Sequence, residues 1–478
     1  MNTNINFVPL GPELIITSVA ILVLMLDITL KNKYRNIIGW VSVAGLASAL
    51  VYGITYFGLR GNFIVNQLTI DDLSVYARLS IVAIALTIAL VAMRNTYTIR
   101  QNQGEFYALM LFSVVGTMVM ASASNLVTIY VGIELSTIPM FILVAFRKAR
   151  AKAGEALIKF FILGIMSSAF LLYGLSLVYG LTAELDLTKI ATALGQGMSP
   201  ALAVASLLII AGFGFKLTAV PFHFWAPDTY EGAPVIVVSY IATVSKIGAF
   251  VIVTRVFVEA LQSTAVNWPL WFGALAVITM TLGNLMALPQ TKIKRMMAYS
   301  GIAHAGYLLV GLAVGTNFAI SSMFFFLIAY AVATAGVFFV VAARSEKGEA
   351  DAISSYTGLS QTNPALALVM AVFLFSLIGI PPLGGFFGKY YLAASAIGNG
   401  QAYLGILIFI NSVISLGYYV KIIRAMYLQE PESAEHRATA TAQTSVALGL
   451  TSIAIIYLGI IQNPVLNMAH KIFSNIKL

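Results

Sequence analysis

The sequence predicts an all-α polytopic membrane protein with about 14 transmembrane helices, built as two inverted five-helix repeats with helices 7 and 12 discontinuous. Three observations predict it. Of 478 residues, 60% are hydrophobic and 9% charged, with a mean hydropathy of +0.92, whereas soluble domains carry roughly 25% charged residues. Apolar runs of about 20 residues, the length that spans a bilayer, recur from end to end. Lysine and arginine fall unequally on alternate connecting segments, as the positive-inside rule requires. So much apolar surface cannot hide in one water-facing globule, which excludes a soluble enzyme or a nucleic-acid binder. The net charge of +9 therefore belongs to loop topology. The absence of cysteine excludes disulfides and thiolate-held iron–sulfur clusters in this chain.

Met1 to Pro9 carries no basic residue, so the apolar run Leu14 to Leu30 reads as a retained first helix and not as a signal peptide. Apolar spans fall near 12–30, 36–58, 73–93, 105–121, 125–146, 156–180, 201–225, 234–258, 268–288, 295–315, 318–343, 364–398, 402–427 and 441–462. The stretch 364–398, 35 residues long, exceeds one straight crossing. With the N-terminus outside, the inside segments hold Lys31, Lys33, Arg35, Arg94, Arg100, Arg147, Lys148, Arg150, Lys152, Lys292, Lys294, Arg344, Lys347 and Arg437. The outside segments hold only Arg60, Lys189, Lys471 and Lys477. Both termini then lie outside. One inside loop, Ala226 to Ala233, departs from the pattern with Asp228 and Glu231.

A few charges remain within the spans. Phe106 to Phe146 contains a single charged residue, Glu134, and Pro364 to Val420 only Lys389. Lys216 lies in the seventh span and Lys246 near the middle of the eighth. Lys159 sits near the start of the sixth, His223 in the seventh and His304 in the tenth. A charge at the bilayer centre costs ~2.5–3.5 kcal/mol on insertion scales. Glu134, Lys216, Lys246 and Lys389 are too deep to snorkel easily and point to function. Asp27, Arg255 and Lys421 lie near span ends, where snorkelling accounts for them. His304 fits a neutral core histidine as well as a proton relay.

Two helix breaks accompany these charges. Pro221 removes the hydrogen bond to the Leu217 carbonyl, within a turn of Lys216. The twelfth span carries "IGIPPLGGFFGK", ending at Lys389. Opened backbone in a membrane must line water or protein. Similar offsets, Glu134 to His304, Lys216 to Lys389 and Lys246 to Lys421, suggest two units related by inversion. The chain then divides into N-terminal helices 1–3 (1–104), a first repeat of helices 4–8 (105–262), a second of helices 9–13 (263–430), and a C-terminal loop with helix 14 (431–478).

The segments "YVGIELSTIPMF", "GFGFKLTAVPFHFWAPDTYEGAP", "SKIGAF", "KIKRMMAYSGIAHAGYLLVG" and "GIPPLGGFFGKYY" resemble the N-type antiporter-like membrane-arm subunits of respiratory complex I, the proton-pumping NADH:quinone oxidoreductase (NDH-1). Length and Lys389 favour the N type, since the M type is expected to carry glutamate at that position and the L type a lateral helix. The resemblance implies that Glu134 pairs with Lys216, that Lys159 lies between them, and that Lys246 and Lys389 continue a central hydrophilic axis near His223 and His304. It implies no cofactor or metal in this chain, with flavin, iron–sulfur clusters and quinone in partner subunits. The partners it implies are M/L-type and small K/J/A-type membrane-arm subunits, surrounded by membrane lipids in a bacterial plasma membrane.

The chemistry expected is translocation of protons along buried Lys/Glu residues, coupled to electron transfer to quinone in the partners. If Glu134 moves away or is neutralised, Lys216 becomes an uncompensated buried cation and passes its proton through Lys246 and water to Lys389. Moving one charge across 100 mV needs ~2.3 kcal/mol, and no redox group is expected in this chain to supply it. A D-type subunit of a multisubunit sodium/proton antiporter would use the same lysines without redox partners. A membrane scaffold with vestigial charges is the third reading.

Overall fold

The computed structural model of the chain describes residues 7–30, 36–64, 66–93, 102–146, 151–195, 200–262, 266–345, 351–430, 440–464 and 466–467. Fourteen helical crossings follow in order. They are α1 (Gly11–Thr29), α2 (Asn36–Ile54), α3 (Asp72–Ala92), α4 (Gln103–Ser122), α5 (Leu126–Val144), α6 (Ala151–Thr182) and the half-helices α7a (Pro200–Leu217) and α7b (Trp225–Gly232). Next come α8a (Val235–Ala242) with α8b (Val244–Thr254), α9 (Trp268–Ala287), α10 (Ile293–Val314), α11 (Asn317–Arg344), α12a (Pro364–Ile378) with α12b (Gly384–Gly398), α13 (Ala402–Leu428) and α14 (Ala442–Ile460). Among the described residues, 13 helices are long and apolar enough to cross a membrane alone. The remaining crossing is the long stretch flagged in the sequence, which splits into α12a and α12b, 15 residues each. A two-stranded hairpin, Gly61–Phe63 paired antiparallel with Leu68–Ile70, sits between α2 and α3 and was not foreseen.

Burial ranks the helices. The eighth crossing, Val235–Ala260, and α10 and α11 are each 94% buried over their most apolar window, against 33% for α1, α6 and α13. A helix apolar on all sides is stable where protein surrounds it, and the three central helices meet that condition. The site is built on these three and on the breaks beside them.

Loop contacts test the alternation of sides. Segments that follow even-numbered helices meet one another: Leu68 bridges Ala123, Asn125 bridges Asp186, and Arg255 at the end of the eighth crossing reaches Asp71 before α3. Segments that follow odd-numbered helices also meet: Lys292 bridges Ala352, and Lys152 and Lys292 both reach Glu231. These connections lie on the sides that an unbroken count of crossings requires. Lys31, Lys33, Arg35, Arg94, Arg100, Arg147, Lys148, Arg150, Lys347, Arg437, Lys471 and Lys477 lie outside the described residues.

Arg255 does not snorkel. It is 1% exposed, with Nη2 2.6 Å from Asp71, Nη1 2.8 Å from Glu259, and Nε donating to the Ala121 carbonyl at 3.2 Å. The guanidinium ties α8b, α3 and α4 together. A second buried pair, Arg78 with Glu13, links α3 to α1. Breaking a buried pair by removing one partner costs ~3–5 kcal/mol, whereas exposed pairs contribute ~0.2–1 kcal/mol. Arg255→Ala should therefore lower the thermal midpoint markedly. Arg60→Ala, whose partner Asp72 is met by a side chain 53% exposed, should barely move it. Equal small shifts in thermal unfolding would contradict the clamp.

Candidate functional site

The seventh crossing is helical over Pro200–Leu217 and again over Trp225–Gly232. α7a stops at Leu217, and Thr218 takes φ 59°, the left-handed region that a threonine adopts only under constraint. The freed carbonyls find partners. Ala219 N–H donates to the Gly214 carbonyl at 2.9 Å, and the Trp225 indole to Phe215 at 3.1 Å. Val220 N–H donates to Thr279 Oγ1 at 3.0 Å. Lys216 occupies the last turn of α7a, where the negative end of the helix dipole favours a cation.

The α12 break is tighter. α12a closes on Gly379 at φ 94°, a conformation glycine adopts without strain. At Gly385 a Cβ would lie 1.9 Å from the Ser376 carbonyl oxygen, so only glycine lets α12b start against the end of α12a. Lys389 turns back onto that end. Its Nζ donates to the Leu377 and Ile378 carbonyls, each at 2.9 Å, and lies 4.7 Å from the centroid of the Tyr307 ring. Two carbonyls without helical partners and one aromatic face replace the hydration of a side chain 3% exposed.

Lys246 follows a third irregularity. Thr243 interrupts the eighth crossing with φ −122° and ψ −75°, and its hydroxyl bonds back to the Ser239 carbonyl at 2.6 Å. No proline marks this break, and the sequence reading missed it. Lys246 is 1% exposed; Nζ donates to the Gly301 carbonyl at 2.6 Å and lies 5.4 Å from the Tyr330 ring centroid. Among the described residues neither Lys246 nor Lys389 has a carboxylate beside it.

His304 lies between the two lysines. Its ring stacks on Tyr330 with centroids 5.0 Å apart, and Tyr330 is the ring beneath Lys246. His304 Nε2 is 3.3 Å from the Leu377 carbonyl, the oxygen that also accepts from Lys389. Nδ1 is 2.9 Å from the Ser300 carbonyl. Lys246, Tyr330, His304, the Leu377 carbonyl and Lys389 thus form one contiguous chain of buried groups.

The first half is looser. Glu134 on α5 is half-buried and accepts from Ser168 on α6 at 2.5 Å. Lys216 is half-buried and within electrostatic reach of Glu134. Among the described residues no hydrogen bond or ion pair reaches the Lys216 ammonium. Lys159 departs from the position the resemblance implies. It lies nine residues before Ser168 on α6, a rise of about 13 Å, and is held by Asp228 and Glu155, each at 2.6 Å. His223, within the α7 break, lines the same cavity as Lys159 and Asp228. Of the repeat-related pairs, Lys246 is buried while Lys421 is exposed and donates to the Gln290 carbonyl at 3.0 Å.

The acidic segment that departed from the charge pattern is the half-helix α7b and not a loop, and its charge is neutralised in place. Asp228 meets Lys159 at 2.6 Å and Arg295 at 2.5 Å; Glu231 meets Lys152 at 2.8 Å, Lys292 at 2.6 Å and Arg295 at 3.3 Å. Burial alone would raise both carboxyls, but these cations outweigh it. They hold Asp228 below the usual carboxylate range and Glu231 at about 2. Sequence reasoning also missed the uncharged polar groups around the axis: Tyr330, Tyr307, and Asn284, which joins Tyr307, Asn411 and Tyr418 at 2.9, 3.2 and 2.9 Å. Tyrosine and asparagine within apolar runs leave no charge to flag them.

Fold and site together define a class: a many-helix membrane protein with ionisable groups buried along its centre at helix breaks. The family described as "NADH:quinone oxidoreductase/Mrp antiporter, TM" matches residues 123–415. "NADH-quinone oxidoreductase subunit N" of Moorella thermoacetica is 38% identical over 96% of this chain and 96% of its own length. "F(420)H(2) dehydrogenase subunit N" of Methanosarcina mazei is 36% identical over 97% of each. A chain of respiratory complex I from Thermus thermophilus, solved with bound aureothin, superposes with a TM-score of 0.83 at 30% identity, covering 96% of this chain and 99% of that one. The chain belongs to the family of NADH-quinone oxidoreductase subunit N proteins.

The Asp228–Glu231 cluster generates a pH dependence. The folded Glu231 carboxyl lies at about 2 against an ordinary 4.5, so its contribution is complete above about 4.5 and is lost as pH falls toward about 2. The thermal midpoint should fall across that window, and Glu231→Gln should make the fall shallower. The same slope in both proteins would show that Glu231 carries none of it.

Proposed function

We propose that this chain is a proton-translocating membrane-arm subunit, in which protons pass along the buried axis while partner subunits transfer electrons to quinone. The observation that carries this reading is the contiguous chain from Lys246 through Tyr330, His304 and the Leu377 carbonyl to Lys389. A static scaffold gains nothing from two fully buried ammonium groups without counter-ions, because each costs several kcal/mol to desolvate.

Glu134 and Lys216 form the adjustable end. Lys216 has a favourable helix end and a distant carboxylate, so water must complete its solvation. When the Glu134 charge is near, the ammonium is stabilised; when it is withdrawn, the proton leaves toward Lys246. His304 carries it between Lys246 and Lys389; the Lys389 amine receives it, and the carbonyls opened by the α12 break accept hydrogen bonds from the ammonium that forms. Lys159 and His223 serve the approach from the ion cluster at the loop face. The driving energy comes from oxidoreductase partners that hold flavin, iron–sulfur clusters and quinone, consistent with relatives named as subunits of NADH-quinone oxidoreductase and F(420)H(2) dehydrogenase. M/L-type and K/J/A-type subunits are the proposed neighbours. The axis divides between the units 105–262 and 263–430 as inverted repeats, with both termini outside a bacterial plasma membrane. A sodium/proton antiporter subunit shares the family description, but the full-length relatives favour the oxidoreductase assembly.

The test is a pair of substitutions at one position. Lys389→Ala removes the carrier, and Lys389→Arg keeps a cation that does not release its proton. Both should lower proton pumping and coupled electron transfer by about tenfold, the factor that ~1.4 kcal/mol of barrier produces. Full activity in Lys389→Arg would make Lys389 a fixed charge and remove it from the path.

A further inference from the structure

α9 is only 44% buried over its most apolar window, yet Asn284 within it is 0% exposed. An amide in hydrocarbon is costly unless paired, so such groups turn inward to partners. Asn284 is paired through both ends of its amide. Nδ2 donates to the Met280 carbonyl at 2.8 Å, to the Tyr307 hydroxyl at 2.9 Å and to Asn411 Oδ1 at 3.2 Å, and Oδ1 accepts from the Tyr418 hydroxyl at 2.9 Å. Holding α9 to α10 does not require it. A Cβ on Gly283 would lie 2.5 Å from the Ala303 nitrogen, and one on Gly306 2.3 Å from the Met280 nitrogen, so the two backbones already lie in contact. The amide instead fixes the far end of one ring. Tyr307 is 0% exposed; its centroid lies 4.7 Å from Lys389 Nζ, and its ring meets His304 edge-on at 5.4 Å. A single ring thus touches both Lys389 and His304, and its hydroxyl is anchored on a helix that carries neither.

We propose that Asn284 is a positioning residue for proton transfer: by holding the Tyr307 hydroxyl it keeps the ring face against the Lys389 ammonium, beside the Leu377 and Ile378 carbonyls. This rests on the proton-path reading above. A cation gains from an aromatic face only within ~6 Å of its centroid, so a ring freed to tilt withdraws that support. Asn284→Leu, Tyr307→Phe and the double variant are compared in the assembled complex. Asn284→Leu removes the amide at similar volume, and Tyr307→Phe removes the same hydrogen bond from the ring side and leaves α9 untouched. Each should lower the coupled rate at saturating quinone about fivefold, the factor that ~1 kcal/mol of barrier produces, with the KM for quinone unchanged. The double variant should lose no more than either alone, because both changes remove one interaction. A map of the Asn284→Leu complex should show the Tyr307 centroid more than ~6 Å from Lys389 Nζ. Multiplied losses in the double variant, about 25-fold, would show that Asn284 acts apart from Tyr307 and overturn the proposal. So would a raised KM for quinone, which marks a distorted arm, an unmoved ring, or full rate in Tyr307→Phe. If Asn284→Leu does not assemble, the rate and ring position in Tyr307→Phe decide. The proton-path reading fails separately, on full activity in Lys389→Arg, and the ring position is read whether or not protons pass.

Discussion

An ammonium ion survives in the middle of this bundle because a helix stops beside it. Every α-helix leaves its last four carbonyls without intrahelical partners, a liability in hydrocarbon. Lys389 fills that vacancy at Leu377 and Ile378, and Lys216 sits in the last turn of α7a. At Lys389 charge and break stabilise each other: the cation satisfies the carbonyls, and the carbonyls solvate the cation. Neither would be tolerated alone at that depth.

The rest of the architecture follows from keeping that arrangement dry and fixed. The most buried helices, α8, α10 and α11, surround it. Gly385 permits the close return of α12b, and Tyr330 and His304 fill the space between the lysines with polarisable rings. The loop faces are pinned separately, by Arg255 with Asp71 and Glu259 on one side and by Asp228 and Glu231 with four basic residues on the other. The ends can thus stay rigid while protonation changes within.

Much of this was legible in the sequence because oil makes charge conspicuous. Glu134 and Lys389 were each the only charged residue in a long apolar run, and Pro381-Pro382 marked the α12 break. What escaped notice was whatever hydrocarbon tolerates silently or proximity decides. Arg255 lies at a span end, where snorkelling is the cheaper reading, and its partner Asp71 is 184 residues away in the chain. Thr243 breaks a helix without proline. Lys159 sits with Asp228 and Glu155 and not at the centre, because its helix position sets it about 13 Å from the Glu134 contact, a displacement that motif matching does not register.

Proton exchange between Lys216 and Lys246 crosses a gap where the structure shows no direct contact between them. A map of the assembled complex at a resolution that shows ordered water tests this most directly. The account requires a row of hydrogen-bonded waters from the Lys216 ammonium to Lys246 and on toward His304. A dry, apolar gap between the two lysines, with Lys216 directed into lipid, would contradict it.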